Sequence, residues 1–194
     1  MLFLHNNVAL TNVSSTAFEN LPNLKMVLLH YTMLYEIPNG LFSNNSLVEY
    51  VWMDHADIHV MGDSVFDGLS NMKELFLNSN SMSQLYAGQF QSLNNLDRLQ
   101  LQDNGLSTPS CCQLCGVPEW SHIDMDVADY TIDCACDNST CTRNNGSTFT
   151  LDQCFPQTSS TCPQYIFNSA PSAFGYTRVS IVTLLLCVTI VNII

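Results

Sequence analysis

Cysteine is the residue type in this chain whose number and spacing predict the clearest chemistry. The 194 residues contain 9 cysteines, of which Cys187 lies in an apolar C-terminal stretch and the others stand close together. An even number of closely spaced thiols forms disulfides in an oxidising compartment, or else holds a metal ion. We predict disulfides, with no pairing specified, at Cys111, Cys112, Cys115, Cys134, Cys136, Cys141, Cys154 and Cys162.

Four Asn-x-Ser/Thr sequons favour the oxidising compartment, because such asparagines accept glycans only along the secretory route. They begin at Asn12, Asn44, Asn138 and Asn145. The alternative is a zinc site built from Cys112, Cys115, Cys134 and His122. A calcium site in the acidic run 119–137 is a further alternative, but its spacing is not that of a calcium-binding helix–loop–helix, so a solvated acidic surface is preferred. No metal and no cofactor is predicted.

The remaining polar residues do not form a recognisable catalytic or nucleic-acid-binding arrangement. His55, Asp57 and His59 are close in sequence, but no nucleophile accompanies them, and the common hydrolase, zinc-protease and phosphate-loop motifs are missing. We therefore predict no catalytic residue. The formal charge is −12 and only 5 residues are Lys or Arg, which disfavours a nucleic-acid partner because phosphate contacts need clustered basic residues.

A repeated leucine pattern supplies the elements that must position these groups. Phe18, Phe42, Phe66 and Phe90 stand 24 residues apart, and such a period indicates a solenoid in which each unit buries its apolar face only against its neighbours. In the clearest copy, Leu75-x-Leu77 has the period of two that is typical of a short strand. Asn80 follows where a turn needs hydrogen-bonding partners.

The other copies are placed on the same period. Their predicted inward positions are Leu2, Leu4, Asn7 and Leu10, then Leu24, Val27, Leu29, Thr32 and Leu34, then Leu47, Tyr50, Trp52, His55 and Ile58, and after the clearest copy Leu96, Leu99, Leu101, Asn104 and Leu106. With these residues the chain resembles the extracellular leucine-rich repeat family of the typical 24-residue class, over residues 1–108. It departs from the family pattern at Thr32 and His55, which stand at the asparagine position, and at Asn45, which stands at a leucine position.

The resemblance implies an α/β solenoid with a short parallel β-sheet on its concave face and loop or 3₁₀ segments on its convex face. Cys134-Ala135-Cys136, followed by Cys154 and Cys162, resembles the disulfide-rich C-terminal cap of such proteins. Adhesion receptors, neuronal guidance receptors and the variable lymphocyte receptors of jawless vertebrates share this layout. The resemblance therefore implies a non-catalytic cell-surface protein that binds a protein or glycan ligand on its concave face.

The outward residues between the core leucines are the candidate binding site. Four consecutive apolar residues in one column, with a polar and aromatic rim, are typical of a protein interface. The predicted ligand-binding residues are Phe3, Leu28, Tyr31, Val51, Met53, Phe76, Asn78, Arg98 and Gln100. The alternative is that these side chains only pack against neighbouring strands. His5 and His30 fall in one column of adjacent repeats, so a weak pH response is a further possibility.

The two ends of the chain carry different expectations. The sequence enters a repeat at Met1-Leu2 with no signal peptide and no cap, so we expect the natural N-terminus to lie upstream; the alternative is a cytosolic protein that starts here. At the other end, small residues, a polar spacer and the apolar stretch 181–194 form a glycolipid (GPI) anchor signal, with attachment at Asn168 or Ser169. The alternative is a transmembrane segment extended back to Phe174.

The predicted organisation is a leucine-rich repeat domain at 1–108, a cysteine-rich flank at 109–163, a spacer with the anchor site at 164–180 and a hydrophobic tail at 181–194. The predicted function is a GPI-anchored binding protein on the extracellular face of the plasma membrane. The alternative is a secreted or membrane-spanning matrix or adhesion co-receptor component with a structural role.

Overall fold

A computed structural model describes residues 1–107, 109–118, 121–125, 130–133, 140–142, 148–150 and 164–169. The chain winds as a right-angled series of short strands and turns, and each turn of the solenoid contributes one strand to a common sheet. The strands are β1 (Leu2–Phe3), β2 (Met26–Leu28), β3 (Glu36–Ile37), β4 (Tyr50–Trp52), β5 (Val60–Met61), β6 (Glu74–Phe76), β7 (Arg98–Gln100), β8 (His122–Met125), β9 (Tyr130–Asp133), β10 (Thr140–Thr142), β11 (Thr148–Thr150) and β12 (Gln164–Ser169).

The main sheet has the strand order β1-β2-β4-β6-β7-β8-β12-β9. Its first six strands are parallel, and from Val27 onward equivalent residues stand 24 apart, since Val27 pairs with Val51 and Val51 with Leu75. The predicted parallel sheet is therefore confirmed. A second small sheet, in which β3 pairs with β5, repeats on the flank of the solenoid.

The core is a spine of residues stacked from turn to turn. The central residue of each strand, for example Leu75 or Leu99, is fully buried. Phe42, Phe66 and Phe90 close the core from the convex side, with the Phe66 and Phe90 rings stacked at 6.0 Å between centroids. Fully burying such side chains contributes about 1.5–3 kcal/mol each, so the stacked turns stabilise one another where a single turn would not.

The convex side is built from hydrogen-bonded turns. The N–H of Leu69 donates to the Phe66 carbonyl (3.2 Å) and that of Leu93 to the Phe90 carbonyl (2.9 Å). Among the described residues no helix forms on this side. Asn45 takes the place of the leucine, as predicted, and is fully buried; its amide donates to the carbonyls of Phe18 (3.1 Å) and Leu21 (2.8 Å) in the preceding turn.

Asparagines inside the solenoid tie successive turns together. The Oδ1 atom of Asn80 accepts the N–H groups of Ala56 and Ile58 (3.0 Å each), and its amide donates to the carbonyls of Met53 and Leu77 (2.9 Å each). Asn104 repeats the pattern one turn later. At this position Ala56, and not the predicted His55, replaces the asparagine.

The predicted inward positions of the third copy are wrong by one residue. The buried residues of this turn are Val48, Val51, Met53, Ala56 and Ile58, whereas Tyr50 and Trp52 point outward. Both alternatives place apolar residues at the same spacing, and a shift of one residue moves every strand side chain to the opposite face. The observed register keeps the 24-residue pairing with the turns on either side.

The repeat array continues past the predicted boundary at residue 108. Strand β8 pairs with β7 in the same 24-residue register, and Leu114, Val117, Ile123 and Met125 extend the core. Gly116 has a φ of +88°, and an added Cβ would collide with the backbone carbonyls of residues 90 and 91, so only glycine fits this close approach. Strand β12, which lies in the predicted spacer, pairs with β8 and β9.

The cysteine-rich flank is oxidised where the structure describes it. Cys112 is bonded to Cys141 in β10, and Cys111 and Cys115 also form disulfides. The prediction of disulfides is confirmed for these four residues, and the zinc alternative is wrong because Cys112 and Cys115 are not free thiols. Cys134, Cys136, Cys154 and Cys162 lie outside the described residues.

Candidate protein-binding face

The concave face presents three columns of outward side chains, one residue from each turn. The first column, one residue before the buried centre of each strand, contains Met26, Tyr50, Glu74, Arg98 and His122. The central column, one residue after that centre, contains Phe3, Leu28, Trp52, Phe76, Gln100 and Asp124. The third column, two residues further on, contains His5, His30, Asp54, Asn78 and Gln102; backbone hydrogen bonds such as Tyr31 N–H to Asp54 O (3.1 Å) hold it in register.

The central column is apolar along its first four positions. The Trp52 and Phe76 rings stack at 5.3 Å with an interplanar angle of 12°, and the Arg98 guanidinium lies over Phe76 at 5.5 Å from the ring centroid. Phe3 is 55% exposed, whereas Leu28 is covered by its neighbours. Parallel strands hold these side chains side by side, so one continuous apolar row forms along the sheet.

Two of the predicted ligand-binding residues do not lie on this face. Val51 and Met53 are 0% exposed and belong to the core, so their placement on the concave surface is wrong for the reason that shifted the third copy. Trp52 occupies the position predicted for Val51. Counting back 24 residues from Phe76 identifies it, and that count is the sequence signal that was missed.

The far end of the face is polar and internally paired. Asp124 accepts a hydrogen bond from the Gln100 amide (3.2 Å), and it lies 3.6 Å from the Arg98 guanidinium and 3.1 Å from His122 Nε2. Arg98 is therefore held between a carboxylate and an aromatic ring. It can orient a ligand, but its charge is already partly balanced.

A second ion-pair group borders the strands at their entry. Glu49 lies 2.7 Å from Lys73 Nζ and 3.3 Å from Lys25 Nζ. Hydrogen bonds from Lys73 and then Lys25 hold the pKa of Glu49 below its ordinary value, and the Glu49 carboxylate raises the pKa of Lys73. These groups balance one another at neutral pH, so little net charge remains there.

The third column contains polar atoms that lack partners. Among the described residues, five buried side-chain atoms on the concave face make no hydrogen bond: His5 Nδ1, His30 Nδ1, Trp52 Nε1, Asn78 Oδ1 and Gln102 Oε1. A desolvated polar atom costs free energy until it is paired. Small side-chain rotations would therefore let a bound ligand satisfy several turns at once.

The other predicted sites fall in different places. Tyr31 is 47% exposed and sits just beyond the third column, stacked on His55. The sequon residues Asn12 and Asn44 are exposed, while Asn138 and Asn145 lie outside the described residues. Asn168 and Ser169 form the end of β12.

No catalytic or metal-binding cluster emerges from the described ranges. His55 Nδ1 lies 3.0 Å from Asp54 Oδ2, and His59 Nδ1 lies 2.8 Å from the Asp57 carbonyl oxygen. Across residues 1–107 and the shorter described segments, no three His, Cys, Asp or Glu side chains could share a metal ion. Within those same segments, no helix has the length and apolar character needed to cross a bilayer; residues 181–194 are not among them.

Comparison with known proteins supports the fold that this geometry indicates. Residues 53–106 match the leucine rich repeat family model, and no curated protein matches the chain. Among solved structures, the leucine-rich repeat domain of APL1B aligns with a TM-score of 0.55 and 18% identity, over 59% of this chain and 34% of that one. The APL1 leucine-rich repeat domain aligns with a TM-score of 0.51 and 20% identity, over 61% of this chain and 29% of that one.

A third structure, the LRIM1/APL1C complex, gives a TM-score of 0.46 with 18% identity, over 59% of this chain and 18% of that one. The aligned part thus spans about a third or less of the solved chains. The chain has the leucine-rich repeat solenoid fold, with the parallel sheet on its concave side.

Proposed function

We propose that this protein is a non-catalytic cell-surface binding protein that holds a protein ligand on its concave face. The observation that carries the proposal is the row Phe3, Leu28, Trp52 and Phe76, an apolar strip at the centre of an open sheet. Polar side chains border it on both sides, and aromatic anchors with a polar rim are the usual anatomy of a protein interface. The unpaired polar atoms beside the row supply hydrogen-bonding capacity that the solenoid itself does not use.

The chemistry of the row favours a protein over a glycan ligand. The Trp52 ring is flanked by Phe76 at 5.3 Å and by His30 at 6.2 Å, so the faces of the ring are covered and mainly its edge is presented. Sugars stack on open aromatic faces, whereas protein side chains pack against a continuous apolar edge. The same mutual stacking is also what a structural role would produce, so the two functions must be separated by measurement.

We expect that replacing Trp52 and Phe76 together with serine weakens ligand capture by about thirtyfold or more, because hot-spot aromatics carry most of the binding energy. The measurement is capture of individually displayed cell-surface and secreted proteins by the multimerised chain. Leu47→Ser is the matched control, since Leu47 is an exposed apolar residue away from the concave face. A folded double variant that binds as well as wild type would favour the structural role.

The attachment proposal is tested separately. The chain is proposed to reach the extracellular face of the plasma membrane through the secretory route and to be held there by a GPI anchor at Asn168 or Ser169. The disulfides of the C-terminal flank and the two exposed sequons support this route. Phosphatidylinositol-specific phospholipase C is expected to release the protein from intact cells. Retention on the cells while a known anchored marker is released would favour the transmembrane alternative.

A further inference from the structure

Four of the 5 histidines in the chain lie together at one end of the solenoid. They are His5 and His30 in the third column, and His55 and His59 on the loops that leave the strands. With Tyr31 and Tyr35 they form a patch that we call the histidine–tyrosine surface. It adjoins the apolar row, because His30 lies 6.2 Å from Trp52 between ring centroids.

Three ring stacks organise this surface. His5 stacks on His30 at 4.7 Å, Tyr31 on His55 at 4.6 Å, and Tyr35 on His59 at 4.5 Å. Each stack joins equivalent positions of adjacent turns, and the edge-on contact of His30 with Tyr31 at 5.6 Å links the first stack to the second. The imidazoles are thus fixed in place by the repeat itself.

The outer part of the surface is accessible. Tyr35 is 56% exposed, and the His55 and His59 side chains are 42% and 38% exposed. Each tyrosine uses one ring face on its histidine and keeps much of the remaining ring in contact with solvent. An open tyrosine ring attracts a cation through the negative face of its π-system.

At neutral pH the charge of this surface is negative. Asp54 and Asp57 lie beside His55 and His59, at 3.0 and 3.8 Å between the closest nitrogen and carboxylate oxygen. Lys25 is the one basic side chain in residues 1–72, and it is occupied by Glu49. Carboxylates next to open tyrosine rings, with no competing cation, are complementary to an arginine or lysine side chain.

Acid reverses this charge. Imidazole is the side chain that gains a proton between neutral pH and about pH 5, and four of them surround two carboxylates here. His30 is packed against His5, Tyr31, Trp52, Asp54 and His55. Burial lowers its pKa most; Asp54 opposes that effect, while His5 and His55 add to it. His30 is therefore neutral at pH 7, and acid places mutually repelling charges in the His5–His30 stack.

We propose that the histidine–tyrosine surface docks a cationic segment of a protein partner at neutral pH and releases it when its histidines are protonated. This inference rests on the proposed function, since it assigns the partner's charge and a release condition to the edge of the same binding face. The Tyr31 and Tyr35 rings and the Asp54 and Asp57 carboxylates bind the cation. Protonated His55 and His59 then exclude it by like-charge repulsion, because they stand between those groups.

The test uses a peptide of alternating arginine and serine as its probe, with a peptide of alternating glutamate and serine as the negative control. Affinity is measured by titration calorimetry at about pH 7.4 and about pH 5.5 at constant ionic strength, since exposed charges are screened by salt. We expect the arginine peptide to bind about tenfold or more weakly at the lower pH. Far-ultraviolet circular dichroism at both values establishes that the protein stays folded.

Two variants locate the effect. His55→Asn with His59→Gln removes both titrating rings; asparagine suits position 55, where φ is +52°. This variant should bind at neutral pH and lose the pH dependence, while His122→Gln at the other end of the array keeps it. Asp57→Asn should weaken neutral binding several-fold, whereas Glu19→Gln, an equal loss of charge at an exposed convex site, should not.

Several results would overturn the proposal. These are equal affinity at both pH values, binding of the glutamate peptide, retained pH dependence in the histidine double variant, or equal effects of Asp57→Asn and Glu19→Gln. The Trp52→Ser, Phe76→Ser protein separates this proposal from the proposed function. If that variant loses partner capture while wild type shows no pH-dependent peptide binding, the docking inference is wrong and the proposed function stands. If peptide binding is pH-dependent but capture is unchanged by that variant, the proposed function is wrong.

Discussion

Val51→Asp is expected to leave most of the protein unfolded, whereas the same replacement at the next residue, Trp52→Asp, leaves it folded. Val51 is 0% exposed and packs in register between Val27 and Leu75. A carboxylate there has no partner, and burying an unpaired charge is among the changes that cost more than about 4–5 kcal/mol. Small domains are stable by only about 5–15 kcal/mol.

At Trp52 the new carboxylate would instead face solvent on the concave side. The loss is the stacking with Phe76, about 0.5–1.5 kcal/mol, and some buried apolar area, for a total of about 1–2 kcal/mol. The measurement is urea unfolding of both purified variants with intact disulfides, beside the amount of each that reaches the culture medium or cell surface. A stable Val51→Asp protein together with an unfolded Trp52→Asp protein would show that β4 has the opposite register.

Asn80→Leu is the second change with a large expected effect, a loss of about 2–4 kcal/mol. The side chain is one of the best-connected in the solenoid, because its Oδ1 atom accepts two N–H groups and its amide donates to two carbonyls at 2.9–3.0 Å. Leucine restores none of these bonds. Each partly buried backbone group left without a partner costs about 1–3 kcal/mol, reduced where water reaches it.

Asn95→Leu is the matched control for this experiment. Asn95 also donates to a carbonyl of the preceding turn, Ser70 O at 2.7 Å, but it is exposed, so water replaces the lost bond. We expect a change below about 1 kcal/mol there. Asn80→Asp, which keeps the acceptor and loses the amide donors, should fall between the two. If Asn80→Leu unfolds at the same urea concentration as wild type, the asparagine does not tie the turns together.

The binding face illustrates which inferences a period can support. The step of 24 residues correctly placed Phe3, Leu28, Phe76 and Gln100 in one column, because parallel strands in register repeat the same residue at each turn. It failed at the third copy, where the turn offers two apolar sets one residue apart. Pairing of β4 with both neighbours selected Val51 and Met53 for the core, and the large indole ring was left outside, where a close-packed interior imposes no limit on its size.

The sequence by itself determined the solenoid, the phenylalanine spine, the asparagine turns at Asn80 and Asn104, and the oxidised state of Cys112. Each follows from spacing and residue type, which local geometry and neighbour packing translate directly into structure. The tertiary structure decided the outward position of Trp52, the return of β12 to the sheet beside β8, and the pairing of Tyr31 with His55. These contacts join residues whose relation depends on how one turn lies on the next, and a pattern read along the chain does not contain that distance.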